Sequence, residues 1–167
     1  MSIPIGVSSY VSIEESDTYH TTHGHAEWAV LDDSAKETSL VQATQFIDSV
    51  ARGKWKGVKT DPTQELAWPR TGASDEDGRA IEDSVIPVLL KNAVCEAALR
   101  ISQGDDLMED ASPAVASESV AGAVSISYFE GTDNVTNYRK IYSLISGFVT
   151  ATIGSSQKSG CVRTVRG

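Results

Sequence analysis

Two cysteines in 167 residues, Cys95 and Cys161, are too few to staple this chain. Cys95 falls in an apolar, helix-like stretch and Cys161 in a polar tail, so the default is a reduced, cytosolic chain without a disulfide. No apolar run reaches the ~18 residues that a membrane-spanning helix needs. The first residues, MSIPIGVSSYVS, lack the basic start and apolar block of a signal peptide. Basic residues are scarce too: 14 Lys and Arg stand against 23 Asp and Glu, for a net charge of −9 and a pI near 4.7. Nucleic-acid binders usually show a basic face, often with a pI above about 9. The deficit is uneven. Residues 153–167 hold Lys158, Arg163 and Arg166 and no acid, whereas the rest of the chain holds 11 basic and 23 acidic side chains, a balance of −12.

The usual signatures of chemistry are missing as well. There is no G-x-S-x-G, no glycine-rich phosphate loop and no H-E-x-x-H. Serines are abundant without a nucleophile setting, and carboxylate pairs in so acidic a chain single out nothing. His20, His23 and His25 form H-x-x-H-x-H, the most metal-like cluster, but Gly24 ends the helix before His25 and no Cys or Asp completes a ligand set. The simpler reading is a polar helix end whose histidines suit the C-terminal dipole. Asp75-Glu76-Asp77-Gly78 resembles the start of a calcium loop but lacks the later bidentate Glu, which leaves a turn. No enzyme activity, cofactor or metal is expected.

What the chain does have is helical periodicity. Its length suits one domain, and folding at this size buries roughly 68–70% of the unfolded surface. Ser12-Ile13-Glu14-Glu15 is a capping box that opens a helix running to about His23, with Gly24 as its stop. Trp28 anchors a short bridge over 25–31. A second capping box, Ser34 to Glu37, precedes a helix over 35–52 whose stripe is Leu40, Ala43, Ile47 and Val50, flanked by Val41 and Phe46. Pro87 suits the first turn of a helix running to about Gln103 that buries Leu90, Ala93, Val94, Ala97, Ala98 and Ile101. Three alanines on that face allow close approach of a neighbouring helix. After an acidic linker at 105–114 the period changes to two, predicting a hairpin over 115–129 that turns near Ala121-Gly122. A last helix over 137–150 turns Tyr138, Ile141, Tyr142, Ile145 and Phe148 inward, and Gly147 weakens it. The expected fold is therefore mainly α: a small helical bundle with a long ordered loop, a strand insertion and an extended C-terminal tail. The expected division is a domain at 1–152 and a basic arm at 153–167.

The segment without a period is the most informative. Residues 54–84 connect two helices, far beyond the usual connection of a few residues, and loops of this length are functional or disordered. This one carries Trp55, Leu66 and Trp68, and each Trp can bury roughly 150–250 Å². It is therefore expected to be ordered and pinned at the two tryptophans, with Pro69 holding Trp68 extended and turns at Gly72 and Gly78. The tryptophans could stack on unpaired bases. That mode also needs a positive groove, and Lys54, Lys56, Lys59 and Arg70 offer only a local one. Plugging a core is the stronger expectation.

The strings W-K-G at 55–57, L-A-W-P-R-T-G at 66–72, D-x-D-G at 75–78, I-P at 86–87, K-N-A-V-C-E-A-A-L at 91–99 and S-Y-V-S-I-E-E-S-D-T-Y at 9–19 together resemble a tailed-phage family. That family often carries a "DnaT-like single-stranded-DNA-binding" label. It is also similar to head–tail connector (head-completion adaptor) proteins, small helical subunits that form a ring beneath the portal. The likeness covers about residues 8–103. The connector resemblance implies a homo-oligomeric ring of about twelve subunits in the virion neck, assembled in the host cytoplasm. Its partners would be the portal protein and a tail or tail-completion protein, with genomic double-stranded DNA passing through unbound and no membrane involved. Interface residues would be Trp55, Trp68, Pro69 and Arg70 in the loop and Lys158, Arg163 and Arg166 in the tail. The other label implies a replication accessory protein that binds single-stranded DNA. The charge separates the two: phosphate neutralisation drives single-strand binding, whereas an acidic wall repels a duplex over a Debye length of about 8–10 Å and lets it slide. The acidic body favours the connector.

Overall fold

A computed structural model of the chain describes residues 8–107 and 138–151, together with the backbone of strands at 115–120 and 124–128. The chain forms two compact units, Met1–Glu109 with Tyr138–Ile153, and Asp110–Asn137 with Gly154–Gly167. The expected division kept the hairpin with the helices.

The first unit is helical. Helix α1 (Ile13–His23) opens at the expected capping box: the Ser12 hydroxyl accepts from the Glu15 amide, the Glu15 carboxylate accepts from the Ser12 amide, and Gly24 closes the helix at φ +73°. A four-residue helix α2 (Ala26–Ala29) presents the buried Trp28. Helix α3 (Asp33–Val50) starts two residues before the predicted position. Asp32 caps it by accepting from the Ala35 amide at 2.8 Å, and the expected box at Ser34 is not used, because an aspartate supplies the same acceptor earlier in the chain.

Pro87 stands at the cap rather than in the first turn of α4 (Val88–Ser102). Helices α3 and α4 form the central pair. Leu40, Ala43, Phe46 and Ile47 on α3 and Leu90, Ala93, Val94, Ala97 and Ala98 on α4 are buried, while Val50 and Ile101 at the ends of the stripes are half-buried. The small side chains let the two backbones approach closely. Helix α5 (Arg139–Ile145) is shorter than expected and passes into a 3₁₀ turn at Ser146–Phe148, where Gly147 sits. Ile141, Ile145 and Phe148 face inward; Tyr138 and Tyr142 are half-buried.

Polar side chains also fasten the helices to one another. Glu96 on α4 is buried and accepts from the Tyr19 hydroxyl at 2.8 Å and from Lys140 at 2.6 Å, tying α1, α4 and α5. Burial works against its charge, but the bonds from Lys140 and Tyr19 outweigh it and hold the carboxyl below the usual range.

The second unit carries the predicted hairpin. Strands at Val115–Val120 and Val124–Tyr128 pair antiparallel, with Val120 opposite Val124 and a register shift between Val115 and Ser117. The predicted turn at Ala121-Gly122, most of the acidic linker and the basic tail lie outside the described residues. Among the described residues no helix is long and apolar enough to cross a membrane.

Candidate functional site

The loop between α3 and α4 is ordered, and it wraps one end of the helical core. Two short strands, β1 (Val58–Lys59) and β2 (Arg70–Thr71), pair antiparallel and turn an aperiodic sequence into a hairpin-like flap. Gly57 stands just before β1 at φ +69°. A Cβ there would meet the Thr71 carbonyl oxygen at 2.4 Å and the Ala73 nitrogen at 2.8 Å, so only glycine permits the crossing.

The tryptophans anchor this flap from beneath. Trp68 is 0% exposed and Trp55 8%. Their rings meet edge to face at 5.9 Å, and Phe148 meets Trp68 at 5.8 Å. The Trp68–Pro69 bond is cis. Main-chain bonds lash Trp55 to the chain after α5: the Lys56 amide donates to Phe148 O at 2.9 Å and the Thr150 amide to Lys54 O at 2.7 Å. The core reading of the two indoles holds. Neither ring offers a face on which a base could stack.

A buried polar relay fixes the other side of the flap. The Tyr10 hydroxyl donates to Asp48 Oδ1 at 2.5 Å and accepts from the Trp68 amide at 3.2 Å, while Asp48 Oδ2 accepts from the Ala67 amide at 2.8 Å. Burial, and then the Asp48 charge, push the tyrosine hydroxyl far up, so it stays protonated and donating. Burial also raises the Asp48 carboxyl, against the hydrogen bonds from Tyr10 and Ala67. No sequence pattern pointed to this pair, because Tyr10 and Asp48 lie 38 residues apart. Gly57 was visible only as the last letter of W-K-G.

The cations of the loop bind backbone carbonyls. Arg70 donates from Nε to Lys56 O at 2.8 Å, from one terminal nitrogen to Ala67 O at 3.1 Å and from the other to Gly57 O at 2.6 Å. Lys56 reaches Gly147 O at 2.7 Å and Asp75 O at 3.1 Å, and Lys59 reaches Gln64 O at 2.9 Å. Above them lies a concave site of about 420 Å³ at the end of α3, walled by Asp48, Arg52, Trp55, Lys59, Glu65 and Arg70. Its lining is polar and charged in both signs, which suits binding a charged surface and supplies no nucleophile–base pair.

Of the residues expected to make an interface, the structure thus brings Trp55, Trp68, Pro69 and Arg70 together but buries both indoles inside the subunit. Lys158, Arg163 and Arg166 lie outside the described residues. The acidic turn is a turn, with the Asp75 carboxylate accepting from the Arg79 amide at 2.8 Å.

The histidines depart from expectation. His20 is 1% exposed rather than part of a solvated helix end. Its ring packs on Trp28 at 4.4 Å, and its Nδ1 is 2.9 Å from His25 Nδ1. His23 keeps the expected place, donating from Nδ1 to Tyr19 O at 2.8 Å. Among the described residues no group of three or more His, Cys, Asp or Glu is arranged to hold a metal ion.

No curated protein and no solved structure matches the chain. A family model does, across residues 2–167, and the chain accordingly belongs to the family described as "Putative DnaT-like ssDNA binding protein".

Proposed function

We propose that this chain is a structural, non-catalytic subunit of the head–tail connector type: copies assemble as a ring under a phage portal, extend the DNA channel and receive the tail. The observation that carries the reading is the closure of the loop on itself. Trp55 and Trp68 are committed to the core, and Lys56, Lys59 and Arg70 to backbone carbonyls. The loop is thus a fixed, shaped surface on a strongly acidic body, with no stacking platform in a positive groove. Such a body suits a channel wall, which must not grip DNA. The basic tail at 153–167 would dock on an acidic or strand-edge surface of the portal.

The family description favours a second reading, single-stranded-DNA binding, and does not mention a connector. If that reading holds, affinity has to come from phosphate contacts by the cations at 52–70 and by the tail, because the indoles are out of reach. Fluorescence anisotropy with a labelled oligonucleotide at about 0.15 M salt separates the two. The connector reading expects no sub-micromolar, salt-sensitive binding, and such binding would replace it. Electron microscopy of the chain mixed with its portal supplies the positive test. Rings beneath the portal are expected from the full chain and are lost when 153–167 is deleted.

A further inference from the structure

Charge in this molecule is sorted along the long loop. Among the described residues Lys36, Arg79, Lys91, Arg100 and Lys140 each form an ion pair. Six described cations form none, and five of them (Arg52, Lys54, Lys56, Lys59 and Arg70) fall between positions 52 and 70. Carbonyl ligands hold three of these in place without cancelling their charge. The balance reverses in the second half of the loop: the five cations of 52–70 stand against Asp61 and Glu65, whereas Asp75, Glu76, Asp77, Glu82 and Asp83 stand against Arg79 alone. Of these acids only Asp77 has an ion pair, a 3.7 Å contact to Arg79 between two well-exposed side chains.

We propose that the concave site lined by Arg52, Lys59 and Arg70 receives the acidic segment 75–83 of a second copy of this chain. The proposal rests on the assembly reading above and names the contact through which copies join. Within one chain the site already contains two carboxylates: both oxygens of Asp48 are taken, by the Tyr10 hydroxyl and the Ala67 amide, and Glu65 is exposed with no ion pair among the described residues. The Arg52 side chain is exposed with no hydrogen bond or ion pair among the described residues, and Lys59 keeps a proton beyond its carbonyl contacts. Arg52, Lys59 and Arg70 outnumber the site's own Asp48 and Glu65 by one, so the site can take a further carboxylate. On the acidic side, the carboxylates of Glu76, Glu82 and Asp83 are exposed and form no hydrogen bond or ion pair among the described residues.

Apolar side chains flank both halves. Val58 is 65% exposed beside the cations, and Val88 70% and Leu89 44% exposed beyond the acids. Such residues favour a folded protein surface over a polynucleotide, whose phosphates would also have to cross an acidic exterior. Both copies carry a net negative charge, so attraction at this contact is local and depends on screening of the rest. At about 0.15 M salt the Debye length of about 8 Å provides that screening. Charge complementarity of this kind fixes register and partner choice.

The test is sedimentation velocity on the full chain over a concentration series, with circular-dichroism melts to confirm folding. The wild type is expected to self-associate. Arg52→Glu, and separately the Glu82→Lys/Asp83→Lys pair, should each weaken association about tenfold or more, and the three changes together should restore most of it. A misfolded variant would not be rescued in this way. Three results overturn the contact: a wild type that stays monomeric at the highest concentration reached, single-side variants that associate normally, or a combined variant without rescue. Labelled oligo-dT is titrated in parallel. Loss of its binding on Arg52→Glu, with self-association unchanged, would make this a phosphate site and end the proposal. Assembly that stops at a dimer yet obeys the charge swap supports the contact and sinks the ring.

Discussion

Helices α3 and α4 are held together by side chains packing on side chains, whereas the loop between them is held by side chains reaching for backbone. On the helices Leu40, Ala43, Phe46 and Ile47 meet Leu90, Ala93, Val94 and Ala97, and the main chain satisfies itself within each helix. Residues 51–87 have two-residue strands and a few turns, so most of their amides and carbonyls need other partners. Lys56, Lys59, Arg70, Gln64 and Asp48 supply them. The two tryptophans then do for the loop what the leucines do for the helices. An aperiodic segment can be as fixed as a helix, provided that long polar side chains take over the role of the i→i−4 ladder.

Trp68→Ala breaks the comparison most severely. It empties a fully buried indole site facing Trp55 and Phe148, and should lower stability by about 3–5 kcal/mol in a denaturant titration. Hydrogen exchange should rise first at the amides of 54–57 and 67–71. An equal rise along α3 and α4 would mean that the loop is not a separate layer of stability. Gly57→Ala should cost about 3 kcal/mol, because the strained φ and a 2.4 Å approach of Cβ to a backbone oxygen act together. A thermal midpoint within a degree or two of wild type would show that β1 and β2 can move apart.

The helices were readable because period, caps and stops are local. Ser12, Glu15 and Gly24 behave as their spacing demands, and the α3 and α4 stripes are buried. Where two caps compete, as at Asp32 and Ser34, sequence alone did not choose between them. The order of the loop was legible from Trp55 and Trp68, since so much apolar area cannot stay in water. Its wiring was not. Tyr10 with Asp48, and Lys56 with Gly147, are meetings between residues 38 and 91 positions apart, which no spacing rule reaches. The burial of His20 was missed for a related reason: the partner that covers it, Trp28, lies beyond the glycine that ends its helix.

Arg70→Lys tests whether the loop uses charge or shape. A lysine keeps the cation but cannot bridge the carbonyls of Lys56, Gly57 and Ala67 as a planar fork does. The expected loss is about 2 kcal/mol, with exchange increasing at β1 and β2 and the helices unaffected. A lysine variant as stable as wild type would place the loop's stability in its tryptophans alone.

The smallest expected effect reverses the roles, because here the helical corner is the sensitive region. Burial beneath Trp28 and the neighbouring His25 lower the His20 pKa from 6.5 to about 4. The folded chain therefore resists a proton that the unfolded chain accepts. The stabilisation is full above pH 6.5 and is lost as pH falls toward 4, an expected drop of about 1–2 kcal/mol between pH 7 and 5. The carboxylates answer lower down. Glu96, held below 4.5, loses its contribution only beneath that value, and Asp48, raised by burial, acts in the opposite direction because the folded chain keeps its proton more readily. Melting the chain from pH 7 to 5 should therefore expose the amides around 20–28 while those of 54–71 stay protected, and His20→Gln should flatten the dependence. If the loop opens first, or the glutamine variant keeps the slope, the pH sensitivity belongs to groups other than His20.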